Sequence, residues 1–311
     1  MTSISIAIAT FNRSGELRRT LEGLIGMKPV DSLEYEVLVI DNNSSDDTRA
    51  VVESFSGRFG GRLRYIWEGR QGLSRARNRA VEESRFDVVA FIDDDVDVDA
   101  FWLDRLAAAC EGGDYDVVGG RALLSYPRPR PDWLGDRDEG FLTKVDHGPE
   151  RRAAAPDELY GVNLSIRKSS LMRVGGFRSD LGRMGARLIG SEETELLGRV
   201  ALAGGRLLYE PSAVVGHRVS PERLKRRWFW SRSYWGHRGE ARMFPAWEIS
   251  AYQLARRSWH VALAGGNATL AAVVHGLRSE EFFHQTLVLA ARLGTWTGLA
   301  ERLPSGRSSA V

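Results

Sequence analysis

Three consecutive aspartates, Asp93, Asp94 and Asp95, follow the apolar run at residues 88–92. Like charges this close repel and raise one another's pKa, so we expect a positive group beside them. Carboxylate oxygens are the ligands that hard cations such as Mg²⁺, Mn²⁺ and Ca²⁺ prefer. The motif therefore predicts a divalent metal site, and the alternative is a solvated acidic loop after a strand.

An EF-hand calcium loop does not fit this motif. Such a loop needs glycine at its sixth position and glutamate at its twelfth. Counting from Asp93, those positions hold Val98 and Asp104, and counting from Asp95, the sixth is Ala100. Two carboxylates one residue apart, Asp93 and Asp95, can instead hold a metal that also binds phosphate oxygens.

Strands and helices alternate in the N-terminal part of the chain. Strands are predicted at residues 3–9, 36–40, 63–67 and 87–92. Helices are predicted at 14–25, from the loop at 41–47 to about residue 55, and at 73–84. This alternation predicts an α/β fold with a parallel sheet, in which ligands bind beyond the carboxyl ends of the strands. Asp41 and Asp93 both stand at such ends, so we expect them on one rim of the sheet.

The alternation ends beyond residue 99. Further elements are predicted at residues 100–110 (helix), 116–120 (strand) and from 169 (helix), and helices are predicted again beyond 247. Composition becomes basic and aromatic from residue 221. We therefore predict a catalytic domain at 1–220, a helical region at 221–303, and a tail at 304–311 that is expected to be disordered.

Composition limits the classes of function. The chain has 311 residues, 43% hydrophobic and 27% charged, with a net charge of +2, which gives no general support for a nucleic-acid partner. Cys110 is the only cysteine, which excludes an intramolecular disulfide. The N-terminus lacks signal-peptide features, and no apolar run reaches the roughly 18 residues of a spanning helix. We expect a cytoplasmic protein, with peripheral contact at the inner face of the membrane as a further expectation.

Six segments stand in order along the chain: Thr10-Phe11-Asn12-Arg13, VIDNNSSDDT at 39–48, GLSRARNRA at 72–80, FIDDD at 91–95, GVNLSIRKSSLMRVGGF at 161–177 and GSEETEL at 190–196. Together they resemble the signatures of family 2 glycosyltransferases, over about residues 3–220. The resemblance implies a GT-A fold, with a mainly parallel central sheet flanked by helices, followed here by a C-terminal helical appendage. It also implies a nucleotide-sugar donor, a divalent metal (Mg²⁺ or Mn²⁺) and inversion at the anomeric carbon.

The resemblance also implies which residues bind the donor and the metal. The donor side comprises Thr10, Phe11, Asn12, Arg13, Asp41, Arg70, Arg75, Asn78, Asp93 and Asp94, and the metal ligands are Asp93, Asp95 and His217. From the residues alone, Asp41 fits a helix cap as well as a nucleotide contact. Arg75 and Arg77 fit a solvated face as well as a phosphate-facing helix N-terminus. A lone histidine such as His217 is more often structural.

Glu192 and Glu193 stand at the start of a predicted helix, where acids commonly do no more than complement the helix dipole. Under the resemblance one of them is the general base that takes the proton of the attacking hydroxyl. The family motif is usually Glu-Asp with the second acid as base, so Glu193 is predicted to be the base and Glu192 is the alternative. Asn163 and Trp133 are predicted on the acceptor side.

The segment 223–242 interleaves arginines with aromatic residues. Such a pattern fits a helix packed through its aromatics, an anionic membrane surface, or, less well, nucleic acid. Arg226-Arg227-Trp228 matches the end of a Gln-x-x-Arg-Trp motif of processive family members, but the glutamine is absent. A processive polymer synthase is therefore not expected, and peripheral membrane contact is predicted through residues 223–260.

These observations predict a metal-dependent inverting glycosyltransferase that moves a sugar from a nucleoside-diphosphate sugar, UDP first, to an acceptor hydroxyl. The acceptor is expected to be a sugar, a lipid-linked glycan or a small molecule. The alternatives are a nucleotidyltransferase, which uses a similar sheet and acidic metal site, and a non-catalytic protein that binds nucleotide sugars or a membrane.

Overall fold

The computed structural model describes residues 2–30, 32–185, 188–244 and 250–303. The chain divides into two compact units. The first comprises the described residues of Met1–Arg128, Leu142–Gly185 and Glu192–Ser220, and the second those of Pro129–Phe141, Ala186–Ser191 and Pro221–Val311. The division predicted from sequence stays a prediction, and its tail at 304–311 lies outside the described residues.

Four parallel strands form one half of the sheet in the first unit. They are β1 (Ile4–Thr10), β2 (Tyr35–Asp41), β3 (Leu63–Trp67) and β4 (Val88–Asp93), in the order β3-β2-β1-β4. The register aligns Thr10 with Asp41, Asp41 with Trp67, and Ala9 with Asp93. The two acidic strand ends predicted to share a rim therefore lie on either side of β1.

The other half of the sheet is mixed. It contains β5 (Val96–Val98), β6 (Val117–Ser125), β7 (Arg152–Ala153), β8 (Asn163–Arg167) and β9 (Leu207–Arg218). β8 runs antiparallel to β4 and β6, whereas β9 is parallel to β6 and antiparallel to β5 and β7. β6 continues past the predicted end at residue 120, because after a bulge its residues Arg121–Ser125 pair with β9.

Six α-helices accompany these strands in the described part of the first unit. They are α1 (Ser14–Ile25), α2 (Thr48–Phe55), α3 (Leu73–Glu83), α4 (Trp102–Cys110), α5 (Lys168–Val174) and α6 (Glu192–Leu202). On α1 the buried residues are Leu17, Thr20, Leu21 and Leu24, a helical spacing that gives one apolar face. Each buried leucine contributes about 1.5–3 kcal/mol, and Leu21→Ala would cost about 2–5 kcal/mol. The predicted α/β fold class is confirmed.

Helices dominate the second unit. They are α7 (Arg226–Glu240), α8 (Ala251–His275) and α9 (Glu280–Ala300). A Cβ added at Gly294 of α9 would lie 2.1 Å from the Tyr234 carbonyl oxygen of α7, so glycine permits the close approach of these two backbones. The C-terminal helical appendage predicted with the fold class is confirmed, and its bounds at 221–303 stay a prediction. Among the helices in the described ranges, none combines the length and apolar character needed to cross a membrane.

Candidate active site

The triple aspartate occupies the turn between β4 and β5. Asp93 is the last residue of β4, and Asp94 and Asp95 form the turn that leads into β5. The Asp93 side chain is 26% exposed, whereas Asp94 and Asp95 are buried. The three carboxylates therefore differ in environment, and Asp93 is the most exposed of them.

Arg13 supplies part of the positive charge expected beside these aspartates. Its Nη1 lies 2.8 Å from Asp94 Oδ1 and its Nη2 lies 2.7 Å from Asp95 Oδ2. Thr10 Oγ1 donates a hydrogen bond of 2.7 Å to Asp94 Oδ2. Burial raises the pKa of Asp94 to about 6, with Arg13 opposing that rise and Asp95 adding to it. Asp94 therefore fastens the loop after β1 to the turn after β4.

Asp93, Asp95 and His217 offer ligand atoms that all lie within 4.8 Å of one another. The antiparallel pairing of β5 with β9 sets His217 opposite Val96, and its Nε2 lies 3.2 Å from Asp95 Oδ1. Two carboxylates and an imidazole suit Mn²⁺, and they suit the oxygen-preferring Mg²⁺ less well. The three ligands predicted from sequence are thus brought together in a set that fits a divalent cation.

Arg77, from α3, links this cluster to the start of α6. Its side chain is buried, with Nη1 at 2.9 Å from Glu193 Oε1 and 3.0 Å from Glu192 Oε1. Its Nη2 lies 3.9 Å from Asp93 Oδ1. The sequence leaves Arg77 open between a solvated arginine-rich face and a phosphate-facing helix N-terminus, and does not predict its contact with Glu193. Its spacing from the buried Ala80 is the signal that places it on the inner side of α3.

Glu193 is better placed than Glu192 to meet a substrate. The Glu193 side chain is 13% exposed, whereas Glu192 is buried. Burial by itself raises the pKa of Glu193, but the Arg77 charge and the hydrogen bond from the Gly161 N–H (3.2 Å) bring that pKa below its ordinary value. Glu193 is therefore held ionised, as a general base must be.

Gly161 leaves room for this contact. A Cβ added there would lie 2.1 Å from Arg77 Nη2 and 2.8 Å from Glu193 Oε1. Any side chain at this position would therefore displace the guanidinium from the carboxylate.

The site has an excess of negative charge. Its five carboxylates face two guanidinium groups, which leaves three negative charges in excess when all are ionised. The carboxylates are those of Asp93, Asp94, Asp95, Glu192 and Glu193, and the guanidinium groups are those of Arg13 and Arg77. A bound divalent cation reduces this excess, which supports the fit of the metal to these residues.

Asp41, predicted to contact the nucleotide, is buried at the end of β2. Its Oδ1 accepts a hydrogen bond from the Ser44 N–H (2.8 Å) and its Oδ2 accepts one from the Tyr65 hydroxyl (2.7 Å). Burial and this hydrogen bond raise the pKa of Tyr65 to about 12. In the helix α2 that follows, Asp46 accepts a hydrogen bond from the N–H of the first residue, Thr48 (3.1 Å), and the N-cap residue Asp47 makes no side-chain cap bond. Asp41 therefore shapes the loop, and its carboxylate retains further acceptor positions.

Trp67, which the sequence interpretation did not select, lies at the end of β3 opposite Asp41 in register. Its side chain is 59% exposed. A Cβ added at Gly69 would lie 2.4 Å from Trp67 Cη2, so the indole rests on the backbone of Gly69. Exposed aromatic rings offer stacking surfaces to nucleotide bases. The sequence signal was an aromatic residue at a predicted strand end, two residues before a glycine.

The remaining donor-side residues differ in their contacts. The Asn12 N–H donates to Ser44 Oγ (2.9 Å), and Phe11 is half-buried in the same loop. The Asn78 amide donates to the Phe177 carbonyl (2.8 Å) and accepts from the Phe177 N–H (2.9 Å), so Asn78 holds a turn.

Two of the predicted donor-side arginines remain suited to an anion. Arg70 is mostly exposed, and its Nε lies 3.2 Å from Glu68 Oε1. Arg75 is half-buried and makes no ion pair with any described residue. Both can therefore turn toward a phosphate group with little loss of existing contacts.

The acceptor-side predictions are Asn163 and Trp133. Asn163 is 1% exposed; its amide donates to the Ala213 carbonyl (2.8 Å) and accepts from Trp102 Nε1 (3.0 Å). It therefore joins β8 to its neighbours. Trp133 belongs to the second unit, where its ring packs 5.4 Å from Phe229 and 4.4 Å from Phe283. Their acceptor role stays a prediction.

The chain is similar to known proteins in both sequence and structure. Residues 5–177 match the family model described as "Glycosyl transferase family 2". The chain is 27% identical over 270 residues to the succinoglycan biosynthesis protein ExoM of Rhizobium meliloti (strain 1021), covering 86% of this chain and 82% of that one. It is 26% identical over 236 residues to a glucosyl-dolichyl phosphate glucuronosyltransferase of Haloferax volcanii, with coverages of 75% and 74%. A mannosyltransferase of Pyrobaculum calidifontis, solved with GDP-Man and Mn²⁺, shares the fold at a TM-score of 0.61 and 18% identity, over 93% of this chain and 86% of that chain.

Proposed function

The chain belongs to glycosyl transferase family 2 and is a glycosyltransferase, and from this we propose that it transfers a sugar from a nucleoside-diphosphate sugar to an acceptor hydroxyl, with a divalent cation bound at Asp93, Asp95 and His217. The observation that carries the proposal is the contact of one arginine, Arg77, with both sides of the site. Arg77 holds Glu193, the candidate base, and lies beside Asp93, a candidate metal ligand.

The leaving group of this reaction is a nucleoside diphosphate. Bound to Asp93, Asp95 and His217, Mn²⁺ or Mg²⁺ would supply positive charge to that diphosphate as it leaves. The imidazole makes Mn²⁺ the ion to test first. Arg75 is the cation of the chain that we assign to the same diphosphate, since α3 begins near it and helix N-termini attract anions.

Glu193 is the residue that we assign to the acceptor hydroxyl. The Arg77 and Gly161 contacts both reach Oε1, so Oε2 is the atom assigned to the hydroxyl proton. The acceptor oxygen then forms its bond to the anomeric carbon while the bond from that carbon to the diphosphate oxygen breaks. A single displacement of this kind inverts the anomeric configuration, and it needs a base but no protein nucleophile.

The nucleobase of the donor would lie at the carboxyl ends of β2 and β3. Asp41 can accept hydrogen bonds from the N–H groups of uracil and also from those of guanine, and Trp67 offers its exposed face for stacking. We propose a UDP-sugar as the first donor to test. GDP-sugars form the second arm, since the carboxylate fits both bases.

The acceptor that we propose is a lipid-linked saccharide presented at the inner face of a membrane. The names of two relatives support a glycan acceptor: one is a succinoglycan biosynthesis protein and the other is a glucosyl-dolichyl phosphate glucuronosyltransferase. A free sugar or small molecule is the alternative acceptor to include.

A donor panel tests the proposal. The protein is incubated with UDP- and GDP-sugars, with Mn²⁺, Mg²⁺ or EDTA, and the released nucleotide is measured. We expect slow, metal-dependent release of a nucleoside diphosphate from one donor through hydrolysis. Release of pyrophosphate from a nucleoside triphosphate and a sugar phosphate would instead indicate nucleotidyl transfer. Absence of any turnover combined with donor binding would indicate a non-catalytic protein.

A further inference from the structure

Helix α8 has most of its large apolar residues on the outside, whereas Leu254 and Val261 are half-buried. The residues it buries are alanines, Ala264, Ala268 and Ala271. Its exposed side chains include Trp259, 70% exposed, and Val273, 80% exposed. A helix that faces water normally shows the reverse arrangement, with polar residues outside and large apolar residues inside.

The exposed apolar residues share one face of the helix. They are Tyr252, Trp259, Leu263, Leu270, Val273 and Val274, and Leu277 follows just beyond the helix. Most successive members are three, four or seven residues apart, which are the spacings of one helix face. We call this set the α8 face. It extends over most of α8, and the 25 residues of this helix span about 37 Å at the usual rise per residue.

We propose that the α8 face lies on the surface of an anionic lipid bilayer, with the helix in the plane of the membrane and its apolar residues in the headgroup and upper acyl region. The inference does not depend on the proposed transferase reaction. Tryptophan and tyrosine favour this interfacial depth, and leucine and valine contribute apolar area.

Charge selects the kind of membrane. Residues 251–275 contain no aspartate or glutamate, and their formal charges are those of Arg256 and Arg257. Arg256 is exposed, and Arg278 follows shortly after the helix, also exposed. Arginines beside an apolar face place their charged ends among lipid headgroups, and an anionic surface attracts them.

A second copy of the chain fits the same face less well. In a parallel two-fold contact, Arg256 of one helix would approach Arg256 of the other, and in an antiparallel one it would face the uncharged C-terminal half of α8. Neither helix would offer a carboxylate to them, because residues 251–275 contain none. Like charges brought together in the parallel contact oppose association.

We assign the membrane contact to a narrower part of the chain than the predicted segment 223–260. The aromatics of α7 are largely used within the second unit: Phe229 is buried, and Trp230 Nε1 donates to Thr286 Oγ1 (2.8 Å). Among the described residues of the segment 223–260, which leave out 245–249, the large and mostly exposed aromatics are Tyr252 and Trp259, both on α8. The inference therefore assigns the contact to α8 and extends it to Leu277.

Vesicle flotation tests this assignment. The full chain is mixed with vesicles of phosphatidylcholine alone or with added phosphatidylglycerol, and the floated fraction is measured at low and high salt. The test variant is Trp259→Gln with Leu270→Gln and Val274→Gln. The matched control is Val30→Gln with Met172→Gln and Leu202→Gln, which changes three exposed apolar residues of the first unit. Exposed substitutions of this kind change stability little, and thermal melts verify that both variants fold.

We expect the wild type and the control to float with phosphatidylglycerol vesicles, less at high salt, and the test variant to lose at least tenfold in partitioning. Equal flotation of test variant and wild type would overturn the proposal, as would a wild type that floats with neither vesicle. A concentration-dependent dimer that only the test variant loses would assign the face to a second copy instead. Donor hydrolysis by the test variant should stay at the wild-type rate, so failure here is distinguishable from failure of the proposed function.

A fluorescent label reports the depth of the helix directly. The native Cys110 is buried, and burial raises the pKa of its thiol to about 12, so it reacts poorly. Leu263→Cys on α8 and Leu202→Cys as a control can therefore be labelled selectively with a polarity-sensitive dye. Phosphatidylglycerol vesicles should shift the emission of the Leu263→Cys label to the blue and leave the control unchanged. Equal responses from the two labels would contradict docking through α8.

Discussion

Arg77 Nη1 lies 2.9 Å from Glu193 Oε1 in the first unit. The other terminal nitrogen of the same guanidinium, Nη2, approaches Asp93. One buried cation therefore holds the candidate base ionised and stands next to a candidate metal ligand. Base and metal site share a charge partner, so a change at Arg77 should affect both, whereas a change at Glu193 alone should affect the proton transfer.

Glu193→Gln should lower kcat by about 10²–10⁴-fold, because an amide cannot take the acceptor proton. Donor affinity should stay within about twofold, since Glu193 is assigned to the acceptor. Steady-state kinetics and calorimetric titration of the donor measure the two quantities. Glu192→Gln is the matched comparison: it lies on the buried side of the pair and should reduce kcat much less. The reverse ranking would make Glu192 the base.

Arg77→Gln should destabilise the fold by about 3–5 kcal/mol, because it leaves buried carboxylates without their cation. Chemical denaturation gives the free energy of unfolding. Arg79→Gln, two residues along α3, removes an i,i+4 pair with Glu83 that is partly exposed, and should cost only about 0.3–0.5 kcal/mol. Equal losses of unfolding free energy for the two variants would mean that the burial of Arg77 does not increase the cost of removing its charge.

Local sequence patterns were sufficient to predict the strand ends that carry Asp41 and Asp93, because each depends on the alternation of a few neighbouring residues. The arginine partner of Asp95 could not be predicted in the same way. Arg13 and Asp95 are 82 positions apart and meet only because β1 and β4 are neighbours in the sheet. The chain was expected to compensate its aspartates with a metal; the structure shows that an arginine performs part of that task.

Mn²⁺ should raise the melting temperature of the protein. At a concentration 100 times its dissociation constant, a ligand specific to the folded state adds about 2.7 kcal/mol of stability. His217→Leu removes one candidate ligand and should reduce the Mn²⁺-dependent shift. His147→Leu is the control, since His147 bonds to the Glu158 carbonyl instead (3.0 Å) and should leave the shift intact. A full shift in His217→Leu would remove the imidazole from the metal site.

Trp67→Ala should weaken nucleoside-diphosphate binding by about 1–3 kcal/mol, roughly five- to 150-fold, through loss of stacking. Isothermal titration with UDP and GDP measures the change. Met172→Ala, an exposed apolar residue of α5, is the control and should bind like the wild type. Unchanged affinity in Trp67→Ala would mean that the nucleobase binds elsewhere.

Asp94 should make the metal-free protein less stable as pH rises. Its folded pKa of about 6 lies above the ordinary 3.8, so the folded state binds the proton more tightly than the unfolded chain does. That contribution is fully present below about pH 4 and is lost as pH rises through about 6, at up to about 1.4 kcal/mol per pH unit. Urea unfolding in EDTA across this range measures it. Asp94→Asn should lack this slope and Asp97→Asn should keep it; a slope that persists in Asp94→Asn would assign it to another group.

Side-chain roles were harder to predict than strand ends. Trp67 and Tyr65 were recognised as strand residues, but their relation to Asp41 depends on the register of β2 with β3. His217 reaches Asp95 only through the antiparallel pairing of β5 with β9, and a short strand such as β5 gives little sequence signal of its own. Contacts between distant strands therefore required the coordinates, even where the residue types had been selected.

Gly161 makes the absence of a side chain a requirement of the site. Its mutation to alanine would change neither charge nor polarity, yet the added methyl would occupy the position of the Arg77 guanidinium, 2.1 Å from Nη2. A comparison of related sequences that considered only acidic and basic positions would miss this glycine. The residue at this position separates chains in which the same arginine can hold the same glutamate from chains that must arrange their base in another way.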